Sequence, residues 1–269
     1  MQRKIIYICL ILVICIATFT IISLNRDLKR NIIATSGTIL SNKKIGWGIR
    51  RNDKHEQPDV GANNKKVLEE YDGIAMGNDK DKYVYLTFDN GYEAGYTAKI
   101  LDTLKENNVK ATFFITGHYL NTASDLVKRM IDEGHIVGNH TVNHKSMPDI
   151  DDQEIKDEIM NLHDSVYEKF EYEMKYIRPP MGEFSERTLE IMKNLGYKTV
   201  MWSIAYDDWD EKKQDREEYG KDKILKNIHN GAIILLHANS KDNANILDEC
   251  IKKIKEQGYE FRSLDEFQK

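Results

Sequence analysis

The chain has 269 residues, of which 41% are hydrophobic and 31% are charged, and its formal net charge at pH 7 is −5. This length and composition predict a packed globular body of one large domain or two small ones. The charges are spread along the chain without a long basic run, so the sequence argues against nucleic acid as a partner.

The N-terminus is the most apolar stretch of the sequence. Residues 5–24 carry no charge and are about as long as a helix that spans a bilayer, with Arg3 and Lys4 before them. This stretch is longer than the apolar core of most cleaved signal peptides, and no clear small-residue cleavage site follows it. We therefore predict that residues 1–24 are a signal-anchor that holds the protein in the membrane. A cleaved signal peptide and a buried core helix are the alternatives.

The use of cysteine agrees with export. Cys9 and Cys15 lie within the apolar stretch, and Cys250 is the one cysteine outside it, so the rest of the chain can form no internal disulfide. The cysteine spacing of a structural zinc site is absent. We expect an exported, extracytoplasmic protein that is either membrane-anchored or secreted.

The sequence after residue 24 divides into two parts. Residues 25–81 are rich in Asn, Lys, Asp and Gly, and we predict a stalk followed by an irregular lead-in with a short helix at 65–71. Residues 82–269 alternate short apolar runs with amphipathic segments, a pattern typical of one α/β domain.

Strands and helices alternate in this second part. The predicted strands are residues 83–88, 111–116, 135–140, 175–180, 198–203, 232–238 and 260–264. The predicted helices are residues 96–108, 123–134, 151–170, 185–196, 221–231 and 243–258, the fourth with Ser185 as its N-cap. This order predicts a parallel sheet covered by helices, and the number of strands predicts that the sheet closes into a barrel.

Reactive side chains stand at the ends of five predicted strands. In chain order they are Asp89, His140 with His144, Arg178, Asp208 with Trp209, and His237. The carboxyl ends of the strands meet on one face of an α/β barrel, and active sites lie there. An acid, imidazoles and a guanidinium at one rim are hard to explain by packing alone, so we predict an active site.

The two histidines of the HTVNH segment indicate a metal site. At the spacing of His140 and His144, a helical turn would direct both imidazoles to one ion. Two surface or capping histidines are the alternative. The acid–amide pair Asp89–Asn90 at another strand end favours the metal, and Asp89 itself could serve as a base or as a ligand.

Two charge pairs are also predicted at this rim. Arg178 would lower the pKa of Asp89 and fix the orientation of its carboxyl group. Asp208 could hold the ring of His237 and favour its imidazolium form. An acid, a base and a metal ion together are typical of a metal-assisted hydrolytic site.

These segments resemble the motifs of a known family. TFDNG, HTVNH, RPPMG, DDW and LLH occur in the order and spacing of the polysaccharide deacetylases of carbohydrate esterase family 4, the NodB-homology domain, over about residues 82–264. The segments TGHYL, DEGHIVGNHT and KHEQPDVG extend the likeness. With them the chain is similar to the delta-lactam-biosynthetic de-N-acetylases of spore-forming bacteria over nearly all of its exported part.

The resemblance implies a distorted (β/α) barrel that removes acetyl groups from the N-acetyl sugars of peptidoglycan. Asp89 would be the general base that deprotonates the attacking water, and Arg178 would orient it. His237 would be the general acid that protonates the leaving amine, and Asp208 would tune it.

The resemblance also implies metal ligands and substrate contacts. The implied metal ligands are His140, His144 and Asn90. The implied substrate-binding residues are Tyr92, Pro180, Trp209 and Leu235. Trp209 and Leu235 would wall the pocket for the acetyl methyl group, and a backbone N–H near Tyr92 would stabilise the oxyanion.

The sequence departs from the broad family at two positions, both in ways that resemble the delta-lactam subfamily. Asn90 stands where the family usually has a second Asp as metal ligand, and Ala205 stands where the fourth motif usually has an Asp. An amide oxygen is neutral and binds a cation less tightly than a carboxylate. We therefore predict a weakly bound divalent metal, zinc as the first choice and manganese or cobalt as alternatives. Asn90 could instead stand off the metal.

The substrate implied by the resemblance is N-acetylmuramic acid in peptidoglycan glycan strands, after an N-acetylmuramoyl-L-alanine amidase has removed the stem peptide. The freed amine could then close on the lactyl carboxylate to give the muramic-δ-lactam of spore cortex. Deacetylation of N-acetylglucosamine is the close alternative, and a membrane-anchored glycan-binding pseudoenzyme is another. A glycoside hydrolase needs two positioned carboxylates, and the rim offers no evident pair.

Overall fold

The computed structural model describes residues 40–51 and 54–268. Contacts divide the chain into Met1–Thr38 and Ile39–Lys269, and the described residues all belong to the second unit. The predicted signal-anchor lies outside the described residues. Within the described ranges, no helix is long and apolar enough to cross a membrane.

The described strands form two sheets. They are β1 Ile45–Gly46, β2 Tyr83–Asn90, β3 Thr112–Ile115, β4 Ile136–Asn139, β5 Tyr176–Ile177, β6 Glu183–Phe184, β7 Lys198–Thr199, β8 Ala232–His237 and β9 Glu260–Phe261. The larger sheet has the order β7-β5-β4-β3-β2-β8, with β9 also paired to β2, and all its pairs are parallel. The small sheet pairs β1 with β6 in antiparallel fashion.

The large sheet curls, and its two ends approach each other. Ile204, which follows β7 at one edge of the sheet, makes an isolated parallel bridge to Ile234 in β8 at the other edge. The α/β class and the parallel sheet are therefore confirmed, and the architecture is a curled half-barrel covered by helices. The predicted strand at 198–203 is only two residues long in the structure, so bridges rather than a long strand join the edges.

The helices cover the outside of the curled sheet. They are α1 Ala62–Glu70, α2 Thr97–Glu106, α3 Gly117–Thr122, α4 Ser124–Asp132, α5 Asp152–Phe170, α6 Glu186–Asn194, α7 Glu217–Leu225 and α8 Lys241–Glu256. Ser185 caps α6 as predicted, because its hydroxyl accepts the N–H of Thr188. Helix α7 overlaps the predicted helix at 221–231, but it begins earlier, at Glu217, and also ends earlier, at Leu225. Helix α3 is an element that the sequence pattern did not predict.

Alternation along β2 divides the core into two layers. Val84, Leu86 and Phe88 belong to the large cluster between the sheet and the helices, whereas Tyr85 belongs to the smaller cluster inside the curl. Successive side chains of a strand point to opposite faces, so Asp89 continues the inner face and Asn90 the outer one. The inner cluster also contains Phe114 of β3.

The inner layer leaves no space beside Phe114 for a larger residue at Gly138 in β4. A Cβ atom at Gly138 would lie 2.5 Å from the Phe114 ring, and the Arg178 guanidinium stacks on that ring 4.3 Å from its centroid. The absence of a side chain at Gly138 therefore allows the Phe114 ring to pack closely against β4, and this ring in turn positions the Arg178 guanidinium.

Gly138→Ala is expected to lower the free energy of unfolding by about 1–3 kcal/mol, because the added methyl group must displace a buried ring. Urea denaturation measures this change. Gly46→Ala is the matched control, since a Cβ there meets no atom within 4 Å. An unchanged stability for Gly138→Ala would contradict the packing described for Phe114.

Candidate active site

A cavity of about 560 Å³ opens at the carboxyl ends of the strands. Asp89 at the end of β2, His140 after β4 and His237 at the end of β8 line it, together with His144. Asp89 and His237 are direct partners in the register of β2 and β8. The predicted meeting of an acid and imidazoles at one rim is therefore present in the structure.

The carboxylate of Asp89 is held by a buried guanidinium. Arg178 Nη1 donates to Asp89 Oδ1 at 2.7 Å, and the Arg178 side chain is fully buried. Arg178 also donates from Nε to the carbonyl of Val200 at 3.1 Å and from Nη2 to the hydroxyl of Thr87 at 2.9 Å. These further bonds and the Phe114 ring leave the guanidinium one orientation, which fixes the carboxylate in turn.

Asp89 is ionised in this environment. Burial alone would raise the pKa of its carboxyl group, but Arg178, followed by His140 and His237, outweighs burial and holds the pKa below its usual value. At neutral pH the residue therefore carries the negative charge that a proton acceptor needs.

The two histidines of HTVNH come together on a non-helical loop. Their ring centroids are 4.8 Å apart, but Thr141 and His144 both have a positive φ, so the helical turn allowed by the spacing does not form. His140 Nδ1 lies 2.8 Å from the carbonyl oxygen of Arg178 and donates to it, which leaves a lone pair on Nε2. Nε2 lies 3.5 Å from Asp89 Oδ2.

Both imidazoles of this loop are neutral near pH 7. Burial lowers the pKa of His140 to about 4, and burial also lowers the pKa of His144. The His140 lone pair and the Asp89 carboxylate oxygen are two acceptors that face each other.

Buried polar groups beneath the loop hold its shape, and the sequence patterns did not identify them. Asn139 Oδ1 accepts the N–H of Thr141 at 2.9 Å. The Glu158 carboxylate accepts both the backbone N–H and the side-chain amide of Asn143, each at 2.7 Å. Glu158 is a buried charged residue of helix α5, and its place among the apolar positions of that helix could have indicated a polar contact.

The second charge pair forms as predicted. His237 Nδ1 lies 2.8 Å from Asp208 Oδ1, while Asp208 Oδ2 accepts the backbone N–H of His237 at 2.7 Å and the amide of Asn243 at 2.5 Å. Burial alone would lower the pKa of His237, but Asp208 outweighs burial and raises it. The imidazolium therefore keeps its proton at a higher pH than a free histidine.

The predicted substrate contacts are brought together with one exception. Tyr92, Trp209 and Leu235 line the cavity, but Pro180 does not. Trp209 is 58% exposed and so stands at the mouth of the cavity rather than as an enclosed wall.

Further residues that line the cavity were not predicted. They are Gly91, Met181, Gly182, Trp202, Tyr206 and Asn239. Asn239 donates its side-chain amide to the Tyr92 hydroxyl at 2.8 Å. Gly91, Met181 and Gly182 lie within TFDNG and RPPMG, and Tyr206 and Asn239 lie close to DDW and LLH, so the motifs could have indicated them. Trp202 lies in the predicted strand at 198–203, outside the motifs.

Asn90 is separated from the predicted ligands. Its side chain is buried but does not line the cavity, and its amide lies beside the Tyr119 hydroxyl of α3. Strand β2 extends through Asn90, so this residue points to the opposite face from Asp89. Neither polar atom of its side chain makes a hydrogen bond of good geometry. The structure does not place Asn90 with His140 and His144.

An ionised carboxylate beside an imidazole whose pKa is raised, in a cavity at the strand ends of a curled parallel sheet, is typical of a hydrolytic enzyme of the α/β class. Residues 76–200 match the family model described as polysaccharide deacetylase. The chain belongs to the polysaccharide deacetylase family, and it is a hydrolase that acts on amide bonds.

Solved and curated relatives agree with this assignment. The peptidoglycan-N-acetylmuramic acid deacetylase PdaA of Bacillus subtilis is 44% identical over 87% of this chain and 89% of its own length. A solved structure of Bacillus subtilis PdaA, a family 4 carbohydrate esterase, has a TM-score of 0.82 at 45% identity and covers 85% of this chain and 98% of that one. The peptidoglycan-N-acetylglucosamine deacetylase PgdA of Listeria monocytogenes is 36% identical over 69% of this chain and 39% of its own length.

The deacetylases of this family depend on a metal ion. Two neutral imidazoles, His140 and His144, fit the donors of a divalent ion. A complete ligand set is not present in the described part of the chain, where no group of three or more His, Cys, Asp or Glu side chains has suitable geometry. In the described part of the chain, the donors that fit a metal ion are therefore the imidazoles of His140 and His144.

Asp208→Asn is expected to move the alkaline limb of the pH–activity profile to lower pH by about one unit or more, because a neutral amide no longer raises the pKa of His237. The limb reports loss of the proton from His237, so a lower pKa means that activity falls earlier as the pH rises. Rates of acetate release between pH 5 and 10 measure it. A limb that stays in place would show that Asp208 does not tune His237.

Proposed function

We propose that this protein hydrolyses the acetamide group of N-acetylmuramic acid residues in peptidoglycan. The observation that carries the proposal is the arrangement of Asp89 and His237 on neighbouring strands of one cavity, an ionised base and an imidazole whose pKa is raised by Asp208. The relative that matches 87% of the chain is named for this substrate.

The chain's own residues supply the proton transfers of amide hydrolysis. Asp89 accepts a proton from a water molecule, whose oxygen attacks the acetyl carbonyl carbon. His237 gives its proton to the sugar nitrogen as the carbon–nitrogen bond breaks, so acetate and a free amine leave. A backbone N–H near Tyr92, which lines the cavity, stabilises the negative oxygen of the tetrahedral intermediate.

We further propose that His140 and His144 hold a divalent metal ion weakly, with zinc as the first choice and manganese or cobalt as alternatives. When bound, the ion supplies positive charge that makes water more acidic and polarises the carbonyl group. Arg178 supports the site by fixing His140 through its carbonyl oxygen and Asp89 through its guanidinium. Asn90 points away from this position, so two neutral ligands hold the ion and its affinity is low.

Titration of the purified protein with zinc is expected to give one site with a dissociation constant on the order of micromolar, far weaker than a structural zinc site. His144→Ala should remove the signal, whereas His118→Ala, which changes an exposed histidine outside the cavity, should not. Sub-nanomolar binding would contradict the two-histidine site. An absence of binding at millimolar zinc would also contradict it.

Location and partners follow from the substrate. Peptidoglycan lies outside the cytoplasm, and the apolar residues 5–24 provide an export signal that also anchors the protein in the membrane. An N-acetylmuramoyl-L-alanine amidase would act first, since removal of the stem peptide frees the lactyl carboxylate. The amine that this protein uncovers can then close on that carboxylate, with loss of water, to give the muramic-δ-lactam of spore cortex.

Peptidoglycan that has been treated with an amidase is expected to lose acetyl groups from muramic acid, with a further loss of water as the lactam forms. Mass spectrometry of muramidase fragments measures both changes, with and without the amidase. Asp89→Asn and His237→Ala should each abolish the acetyl loss without unfolding the protein.

Asp207→Asn is the matched control for these variants. Asp207 adjoins Asp208 but pairs with Lys213 and Arg216 outside the cavity, so its loss should leave turnover near that of the wild type. Acetyl loss confined to glucosamine would keep the mechanism and overturn the substrate. Near-normal turnover of Asp89→Asn or His237→Ala would overturn the mechanism.

A further inference from the structure

The segment 45–51 packs against residues that line the cavity, although it precedes the residues matched by the family model. Trp47 is buried, its backbone N–H donates to the carbonyl of Gly182 at 2.9 Å, and its indole N–H donates to the carbonyl of Trp202 at 2.9 Å. Both Gly182 and Trp202 line the cavity. This segment therefore holds two residues of the cavity wall in place from behind.

The contact between segment 45–51 and the cavity is tightly packed. A Cβ atom at Gly182 would lie 2.7 Å from the Trp202 ring and 3.3 Å from Cβ of Trp47. Strand β1 also pairs with β6, directly after Gly182. The segment is thus fixed against the loop that follows Arg178 and has little freedom to move away from it.

The end of this segment places a positive charge beside the backbone of a residue that lines the cavity. The Arg51 guanidinium donates through Nη2 to the carbonyl oxygen of Ala205, which lines the cavity. The Arg51 side chain is exposed, and its hydrogen bonds and ion pairs within the described ranges include no carboxylate. Because a guanidinium has five N–H donors, most remain for a ligand.

Other cations are poorly placed for this role. Within the part of the chain that the structure describes, no Lys or Arg side chain lines the cavity. Lys213 and Arg216 lie on the adjacent loop, but both are paired with Asp207. Arg51 is therefore the rim cation best placed to bind an anionic group that extends from a sugar in the cavity.

We propose that Arg51 is a specificity-determining residue that binds the lactyl carboxylate of muramic acid at the edge of the cavity. This inference rests on the proposed function. The lactyl ether is the group that distinguishes N-acetylmuramic acid from N-acetylglucosamine, and its free carboxylate matches the planar fork of a guanidinium. Arg51 takes no part in the proton transfers.

The test measures kcat/KM of the full-length protein for two muramic acid substrates. One is an amidase-treated glycan fragment with a free lactyl carboxylate, and the other is the same fragment with that carboxylate converted to its methyl amide. Arg51→Ala is expected to lower kcat/KM roughly tenfold for the first substrate, the size of one charge-assisted hydrogen bond, and to leave the second unchanged. Arg51→Lys, which keeps the charge but not the planar fork, should give a value between those of the wild type and Arg51→Ala.

Arg50→Ala is the matched control, because the adjacent Arg50 is 85% exposed and faces Asp59 at 3.7 Å. This variant should behave as the wild type with both substrates. An equal loss for Arg51→Ala on both substrates, or no loss on either, would overturn the assignment of Arg51 while the proposed function stands. A wild-type protein that releases acetate from neither muramic acid substrate would overturn both proposals.

Discussion

The buried ion pair between Asp89 and Arg178 is the interaction on which the site depends. Arg178 is fully buried, and its partners come from β2 and from the chain that follows β7. Its carbonyl oxygen also holds His140. A buried charge that loses its partner costs about 3–5 kcal/mol, so the carboxylate stabilises the fold as well as serving the reaction. One residue thereby sets the positions of the Asp89 carboxylate and of the His140 imidazole.

The site keeps an acid and a base with opposite charges on neighbouring strands. Asp89 and His237 are register partners, so without separate anchors they could simply neutralise each other. Arg178 lowers the pKa of Asp89, and Asp208 raises the pKa of His237, so each group has its own buried counter-ion. Environments that separate the protonation states of two groups are how an enzyme obtains acid and base chemistry at one pH.

The sequence predicted the interactions that are local to strand ends, and it failed where side-chain direction or long-range packing decides. The pairs Asp89–Arg178 and Asp208–His237 follow from charge and position at one rim, and both form. The family resemblance implied Asn90 as a metal ligand, with a position off the metal as the alternative. Because β2 continues for two residues beyond the predicted strand, alternation turns Asn90 to the outer face, beneath α3, a helix that the pattern did not predict.

The separation between chemistry and substrate selection has a physical reason. A positively charged side chain in direct contact with His237 would disfavour its imidazolium form. A guanidinium at the rim avoids this effect, since water weakens its field at the reacting groups while it can still meet an anion directly. Segment 45–51 can carry such a charge because Trp47 fixes it to Gly182 and Trp202. Segment 45–51 can therefore supply the proposed selection for an acidic sugar without disturbing the proton donor and acceptor that the sheet holds.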